Sequence, residues 1–472
     1  MTRTVPRILI AGTHSGSGKT TLALGVISAL RRRGLKVQAF KVGPDYLDPT
    51  WLAAASGRPC YNLDGWMGGR DYVERLFRRV TREADVAVIE GVMGLFDGAK
   101  ASEITGSSAE IALWLQAPVL LVVNAHGMGR SIAPLVAGFA DFEKGVSVRG
   151  VIANHCGSAS HRAILCDALA ASGLPALIGA VPRMGLPELR SRHLGLITAD
   201  PVENCSAELF EEFAVGVERY LNLDEMLKIA RSASPLPPLS PGPGNEETPP
   251  GLPVCLAVAR DEAFHFYYPD LFDELEQRGC HLVFFSPLRD SSLPQGIDAV
   301  YLGGGYPEEF AETLAANEDM LENLRKFSRS GRPFYAECGG LIYLSRALTT
   351  REGKRYPLLG ILPCETRMLD RRKRLGYVEV RLKEDTLWGK TGTRLRGHEF
   401  HYSELISDVT EQDGWCAAYN VKTRHGVCDP PEGFYKPHGR ILASYVHLHL
   451  ASRPGAIVHF LDVCARARLS GC

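Results

Sequence analysis

The sequence predicts a two-domain α/β protein, and three observations carry that prediction. Its apolar segments are short and unbroken rather than alternating, as expected of strands covered on both faces of a parallel sheet. Helical stretches lie between them, which completes β–α–β units. A proline-dense run, Ser234-Pro235-Leu236-Pro237-Pro238-Leu239-Ser240-Pro241-Gly242-Pro243-Gly244 and then Thr248-Pro249-Pro250, cuts the chain in two. Proline lacks an amide donor and fixes φ, so this run builds neither a helix nor a central strand. It is read as a linker over residues 231–250, between a first domain over 1–230 and a second over 251–472.

In the first half, Arg7-Ile8-Leu9-Ile10-Ala11 is a short apolar strand. It feeds Gly12-Thr13-His14-Ser15-Gly16-Ser17-Gly18-Lys19-Thr20-Thr21, and Leu22 to Leu30 has helical character. A glycine-rich turn from strand to helix aims backbone N–H groups and a helix N-terminus at an anion. Gly16 and Gly18 let the backbone close around phosphates, Lys19 supplies charge, Thr20 can hold Mg²⁺, and Thr21 completes the loop. Five residues separate Gly12 from Gly18, one more than the usual four.

Further strands are expected at Val37–Phe40, Val86–Ile89, Val119–Val123 and Gly150–Ala153. Acidic residues at the carboxyl ends of parallel strands face the ligand crevice. Lys41-Val42-Gly43-Pro44-Asp45-Tyr46-Leu47-Asp48-Pro49 and Glu90-Gly91-Val92-Met93-Gly94-Leu95-Phe96-Asp97-Gly98 stand in such places. Mg²⁺ takes a few hard oxygens plus phosphate, so Thr20, Asp45 and Glu90 are its expected ligands. Asp48 and Asp97 are expected beside the reacting group; helix capping or turn formation is the plainer alternative for both.

Composition excludes several classes. The chain has 472 residues, 45% hydrophobic and 23% charged, and a formal net charge of -1. That is an ordinary water-soluble composition with no global field to recruit nucleic acid or membrane. Arg31-Arg32-Arg33, the longest basic run, falls where a helix should end and is read as solvated and structural. Met1 to Pro6 lead straight into a strand, with neither a signal peptide nor a membrane span expected. The 12 cysteines show no metal-ligand spacing, so a cytoplasmic protein with mostly reduced, buried thiols is expected.

In the second half, strands are expected at Val254–Val258, Leu282–Phe285, Ala299–Leu302 and Pro333–Ala336. Tyr335-Ala336-Glu337-Cys338-Gly339-Gly340 places Cys338 between a strand and an apolar helix. Such an elbow exposes a thiol at a helix N-terminus, where the dipole favours thiolate. Gly303-Gly304-Gly305 follows another strand, and the N–H groups of Gly304 and Gly339 are the expected oxyanion donors. Ser444-Tyr445-Val446-His447-Leu448-His449 reads as a strand with His447 and His449 on one face; His447 is the expected base.

The lengthened phosphate loop resembles that of dethiobiotin synthetase and related amidoligases. The strings Lys41 to Pro49, Glu90 to Gly98, Val151 to Ser158 and Arg192 to Leu196 resemble the cobyrinic acid a,c-diamide synthase family. The Cys338 assembly resembles a class I glutamine amidotransferase domain of the subgroup found in cobyrinic and cobyric acid synthases. The resemblance covers nearly the whole chain except the linker. It implies an N-terminal dethiobiotin-synthetase-like phosphate-loop domain and a C-terminal class I amidotransferase-like α/β domain. It also implies ATP, L-glutamine and a corrinoid or related tetrapyrrole as substrates, Mg²⁺ as cofactor, and Asn154 near the adenine. Where the family has an arginine or similar residue, this chain has His155, which receives no role. In many class I domains a glutamate follows the base by two residues; His449 stands there, so the third member of the triad is open. Arg396-Gly397-His398-Glu399-Phe400-His401 matches the family too, without an assigned chemistry.

The implied reaction is ATP- and glutamine-dependent amidation of the a and c acetates of cobyrinic acid. The same reaction on hydrogenobyrinic acid or nickel-sirohydrochlorin is the near alternative. A partitioning-type nucleotide switch with a regulatory amidotransferase-like domain is the remote one. No nucleic acid or membrane partner is expected, and a homodimer is compatible with this reading.

Overall fold

The computed structural model describes residues 4–189, 191–192, 195–196, 205–239, 253–411, 414–423, 426–427 and 432–470. The chain divides into two compact units, Met1–Gly242 and Pro243–Cys472. The proline-rich residues 240–250, and His193 and Leu194 of the family-like string, lie outside the described residues.

The first unit is built on a seven-stranded sheet. Its strands are β1 (Arg7–Gly12), β2 (Val37–Val42), β3 (Tyr61–Leu63), β4 (Val86–Gly94), β5 (Val119–Asn124), β6 (Val148–Cys156) and β7 (Leu177–Pro182). They run in the order β3-β2-β4-β1-β5-β6-β7, and every neighbouring pair is parallel. The unbroken apolar runs are buried on both faces, as their pattern predicted. Central β1 carries its loop to the middle of the sheet's carboxyl edge. Register sets Glu90 level with both Ile10 and Lys41, which fixes the place of the site. A two-stranded hairpin, β8 (Ser191–Arg192) and β9 (Gly195–Leu196), follows.

The basic run at the end of the helix Lys19–Arg32 is both part-exposed and tied down. Arg31 donates to Ala55 O at 3.2 Å, Arg32 pairs with Glu211 at 3.1 Å and Glu218 at 3.4 Å, and Arg33 pairs with Asp224 at 2.7 Å. Such exposed pairs each contribute little. Together they register this helix against the helices Asp48–Ser56, Ala207–Tyr220 and Leu223–Arg231.

The second unit holds an eleven-stranded mixed sheet. Its parallel part is β10 (Val254–Ala259), β11 (Cys280–Phe285), β12 (Ala299–Leu302), β13 (Phe334–Glu337) and β23 (Ile441–Ser444). An antiparallel extension continues through β22 (Glu432–Lys436), β20 (Cys416–Thr423), β17 (Arg374–Leu382), β18 (Arg394–His401) and β24 (His447–Leu448), with β21 (Gly426–Val427) on β20. A small sheet of β14 (Ala347–Thr349), β15 (Arg355–Pro357), β16 (Thr366–Met368) and β19 (Ser403–Leu405) lies apart.

The expected continuous strand over Ser444–His449 is interrupted. β23 stops at Ser444, whose Oγ accepts from Val446 N at 2.9 Å and donates to Glu432 at 2.9 Å. The chain then leaves β13 and re-pairs with β18, His447 opposite His398. His449 stands just beyond β24 at the start of a 3-10 turn. Among the described residues no helix is long and apolar enough to cross a membrane.

Candidate functional site

At the carboxyl edge of the first sheet, Gly16 and Gly18 take φ of 80° and 94°, values an L side chain rarely adopts. A Cβ on Gly18 would lie 2.1 Å from Asn154 Nδ2. Asn154, carried on β6, donates to Ser17 O at 2.9 Å and accepts from His155 N at 3.0 Å. Both ends of its amide thus brace the loop and its own backbone. Lys19 Nζ donates to His14 O at 3.3 Å. Burial, followed by the Lys41 charge, lowers the Lys19 pKa. Thr21 follows on the helix, half-buried.

Thr20 Oγ1 donates to Glu90 Oε1 at 2.5 Å and lies 3.4 Å from Asp48 Oδ2. Between these acids sits Lys41 Nζ, 2.5 Å from Asp48 and 2.8 Å from Glu90, with Asp45 at 4.0 Å. Burial alone would lower the Lys41 pKa, but the charges of Asp48, Glu90 and Asp45 outweigh it and hold the ammonium charged. Burial pushes Asp48 up, yet Lys41 overrides it and keeps that carboxyl low. For Glu90, wholly buried, desolvation wins over Lys41 and the pKa rises. Asp45 is pushed up to about 7 by burial and by Asp48.

The structure groups Thr20 with Asp48 and Glu90, while Asp45 stands at the edge of the same cluster, 4.0 Å from Lys41 Nζ. Asp45 Oδ1 accepts from Leu47 N at 2.8 Å and Asp48 N at 3.1 Å, which shapes the entry to the helix Asp48–Ser56. Asp97 Oδ2 accepts from Gly94 N at 2.9 Å and closes a turn. Lys41 was missed as a site residue. Its signal is a lysine inside a buried apolar strand, a position that requires a charged partner. Among the described residues no three His, Cys, Asp or Glu side chains gather into a ready metal cluster. Mg²⁺ needs only one or two carboxylates beside phosphate oxygens.

In the second unit Cys338 sits at the elbow between β13 and the short helix Gly339–Leu344, with φ 46° and ψ −100°. The thiol donates to Phe400 O at 3.8 Å. Burial, then the Glu308 charge, push its pKa up, against the Gly339 N–H that lowers it. The resting residue is thus a thiol, where the helix dipole alone had suggested thiolate; desolvation outweighs a six-residue helix. Attack on an amide then requires a base to take the proton.

His447 is the expected base, and it packs on the same glycine loop that Gly339 of the elbow approaches. A Cβ on Gly304 would fall 2.4 Å from its Cε1, so the ring packs on the glycine loop. Gly303 N donates to Tyr267 OH at 2.8 Å, so that amide of the glycine loop is already engaged. Burial lowers the His447 pKa to about 3 and keeps it neutral. His398 stacks on it with ring centres 5.0 Å apart. His449 faces elsewhere, its Nε2 3.4 Å from Asp270. Glu337 lies with Oε2 4.0 Å from His447 Nδ1. Neither His398 nor Glu337 received a role from the sequence, although both stand inside quoted strings.

Two family models match the chain. Residues 8–196 match the CobQ/CobB/MinD/ParA nucleotide binding domain, and residues 255–455 match the CobB/CobQ-like glutamine amidotransferase domain. A protein of Syntrophotalea carbinolica named cobyrinate a,c-diamide synthase is 53% identical, over 97% of this chain and 98% of its own. One of the same name from Leptospira interrogans serovar copenhageni is 43% identical, over 98% of this chain and 99% of its own.

Proposed function

The chain belongs to the cobyrinate a,c-diamide synthase family, glutamine-hydrolysing ligases of cobalamin synthesis, and from that premise we propose that it amidates the a and c acetates of cobyrinic acid. The observation that carries the proposal is the buried Thr20–Asp48–Glu90–Lys41 cluster at the phosphate loop, in one chain with the Cys338 elbow.

A carboxylate carbon resists an amine until its oxygen becomes a good leaving group. In this reading the first domain, read as residues 1–230, transfers the γ-phosphoryl of ATP to the acetate. Lys19 and the N–H groups of Gly16 to Thr21 hold the phosphates, and Asn154 keeps the loop in its phosphate-ready shape. Asp48 and Asp97 lie near the acceptor carboxylate. Mg²⁺ fits Thr20, Asp48 and Glu90, for these are hard oxygens and Glu90 Oε2 is buried without a hydrogen-bond partner. When bound it would draw charge from the phosphate oxygens. Asp45 then supports Asp48 rather than serving as a ligand itself.

The second domain, read as residues 251–472, supplies nitrogen. His447 takes the Cys338 proton, the sulfur attacks the glutamine amide carbon, and Gly304 and Gly339 receive the oxyanion. Water then clears the glutamyl thioester. ATP, glutamine and the tetrapyrrole are the partners, in a cytoplasmic setting.

The test is turnover of cobyrinic acid, hydrogenobyrinic acid and nickel-sirohydrochlorin with ATP and glutamine, read by mass. Two amide substitutions on cobyrinic acid, through a free monoamide, are expected. Preference for either other tetrapyrrole overturns the substrate; no amidation of any overturns the reaction.

A further inference from the structure

A histidine base works best when its second nitrogen faces a carboxylate, which fixes the tautomer and balances the imidazolium during turnover. Two residues after the base, where such an acid is usually found, this chain has His449. That histidine is turned to Asp270 at 3.4 Å. We infer that Glu337, immediately before the nucleophile, is the positioning carboxylate for His447. The inference rests on the reading of Cys338 and His447 as the thioester pair.

The geometry supports it from several directions. Glu337 Oε2 is 4.0 Å from His447 Nδ1, and the two residues are 2% and 1% exposed. The carboxylate is held by Tyr301 OH at 2.7 Å on Oε2, and by Tyr335 OH at 2.5 Å and Leu448 N at 3.1 Å on Oε1. Leu448 adjoins His447 on β24, so one carboxylate grips the base's backbone and faces its ring. Among the described residues no lysine or arginine pairs with Glu337. Three neutral donors hold its charged form in place, while the compensating charge arrives only when His447 becomes imidazolium. Catalytic hydrogen bonds are often long before substrate binds, and 4.0 Å leaves a short closure to make.

The Cys338 S–H proton passes to His447 Nε2 as the S–C bond forms, while Nδ1 keeps its own proton toward Glu337. Nε2 then gives the proton to the departing nitrogen as the C–N bond breaks, which releases ammonia and leaves the thioester.

The other titratable groups around His447 are His398 and His401 of β18, both held neutral by burial, and the His449–Asp270 pair. Burial, against donors from Tyr335, Tyr301 and Leu448, pushes Glu337 up to about 7. The carboxylate is charged above that pH and lost below it. Glutaminase activity should therefore fall as pH drops through about 7.

The test measures glutamate release by the full chain carrying Glu337→Gln, Glu337→Asp, Asp270→Asn or Cys338→Ala. For Glu337→Gln, kcat should fall about 10²–10⁴-fold with KM for glutamine nearly unchanged, and the acid limb near pH 7 should vanish. Glu337→Asp should recover part of kcat, and Asp270→Asn should lose far less. Wild-type kcat in Glu337→Gln, or an equal loss in Asp270→Asn, overturns the inference. So does an acid limb that survives Glu337→Gln, which would belong to a histidine. Should Glu337→Gln not fold, Glu337→Asp decides: lowered kcat at normal KM supports the role, and unchanged kcat with an unmoved limb sinks it. Glutamate release by Cys338→Ala at the wild-type rate would instead remove the thioester reading itself.

Discussion

Around Thr20 the chain gathers Lys19, Lys41, Asp45, Asp48 and Glu90, with the Lys41 ammonium and the Asp48 carboxylate locked in their charged forms. Around Cys338 it gathers a thiol and His398, His401 and His447, all kept neutral by burial, beside Glu337, which burial pushes up to about 7. The two environments answer different chemical needs. Phosphoryl transfer moves a group that is charged at every stage, so fixed counter-charges serve throughout. Thioester formation starts and ends neutral and builds charge only in between. A permanently charged setting there would hold thiolate and imidazolium at rest.

Substitutions on either side test that contrast. The largest effect should come from Cys338→Ala. Glutamine-driven synthesis should fall by about 10⁴-fold or more, while synthesis from added ammonium persists; parallel assays with each nitrogen source check this. Loss of both in a folded variant would mean that the two units do not divide the labour. Glu90→Gln should lower synthesis from either source by about 10²–10³-fold, with glutamate release measured alongside. Near-normal ammonium-driven turnover would remove Glu90 from phosphoryl transfer.

Lys41→Met tests the fixed-charge side by stability. It strands Asp48 and Glu90 without their ammonium, and breaking a buried pair from one side costs about 3–5 kcal/mol. Urea unfolding should show that loss in the first unit, and an unchanged midpoint would mean the acids simply take up protons. The smallest effect should follow Asn154→Ala. It removes one hydrogen bond to the loop, about 1 kcal/mol, so the ATP Kd should rise roughly fivefold in titration calorimetry. A much larger rise would give Asn154 a direct contact with nucleotide.

The parallel strands were legible because each carries an unbroken apolar run, Ile8 to Ala11 in β1 and Val119 to Val123 in β5. The phosphate loop and the cysteine elbow were legible because both are local in sequence. The antiparallel extension was not: β17 and β18 mix charged and apolar residues, and their pairing is set by distant chain. Lys41 was hidden for a related reason. Its meaning lies in register, which sets it beside Glu90, forty-nine residues on. Asp45 and Asp48 sit three residues apart, and only the helix start decides which one points at Thr20. Glu337 was overlooked since spacing from the base directed attention to His449.

Cys338 keeps a backbone that L residues avoid, and such a residue costs about 1–3 kcal/mol. Glycine would relieve that strain, so a search for thermal robustness alone would favour discarding the nucleophile. The elbow is consequently a place where heat tolerance and catalytic competence select opposite residues. Directed evolution of a hardier variant should be screened for turnover from its first round.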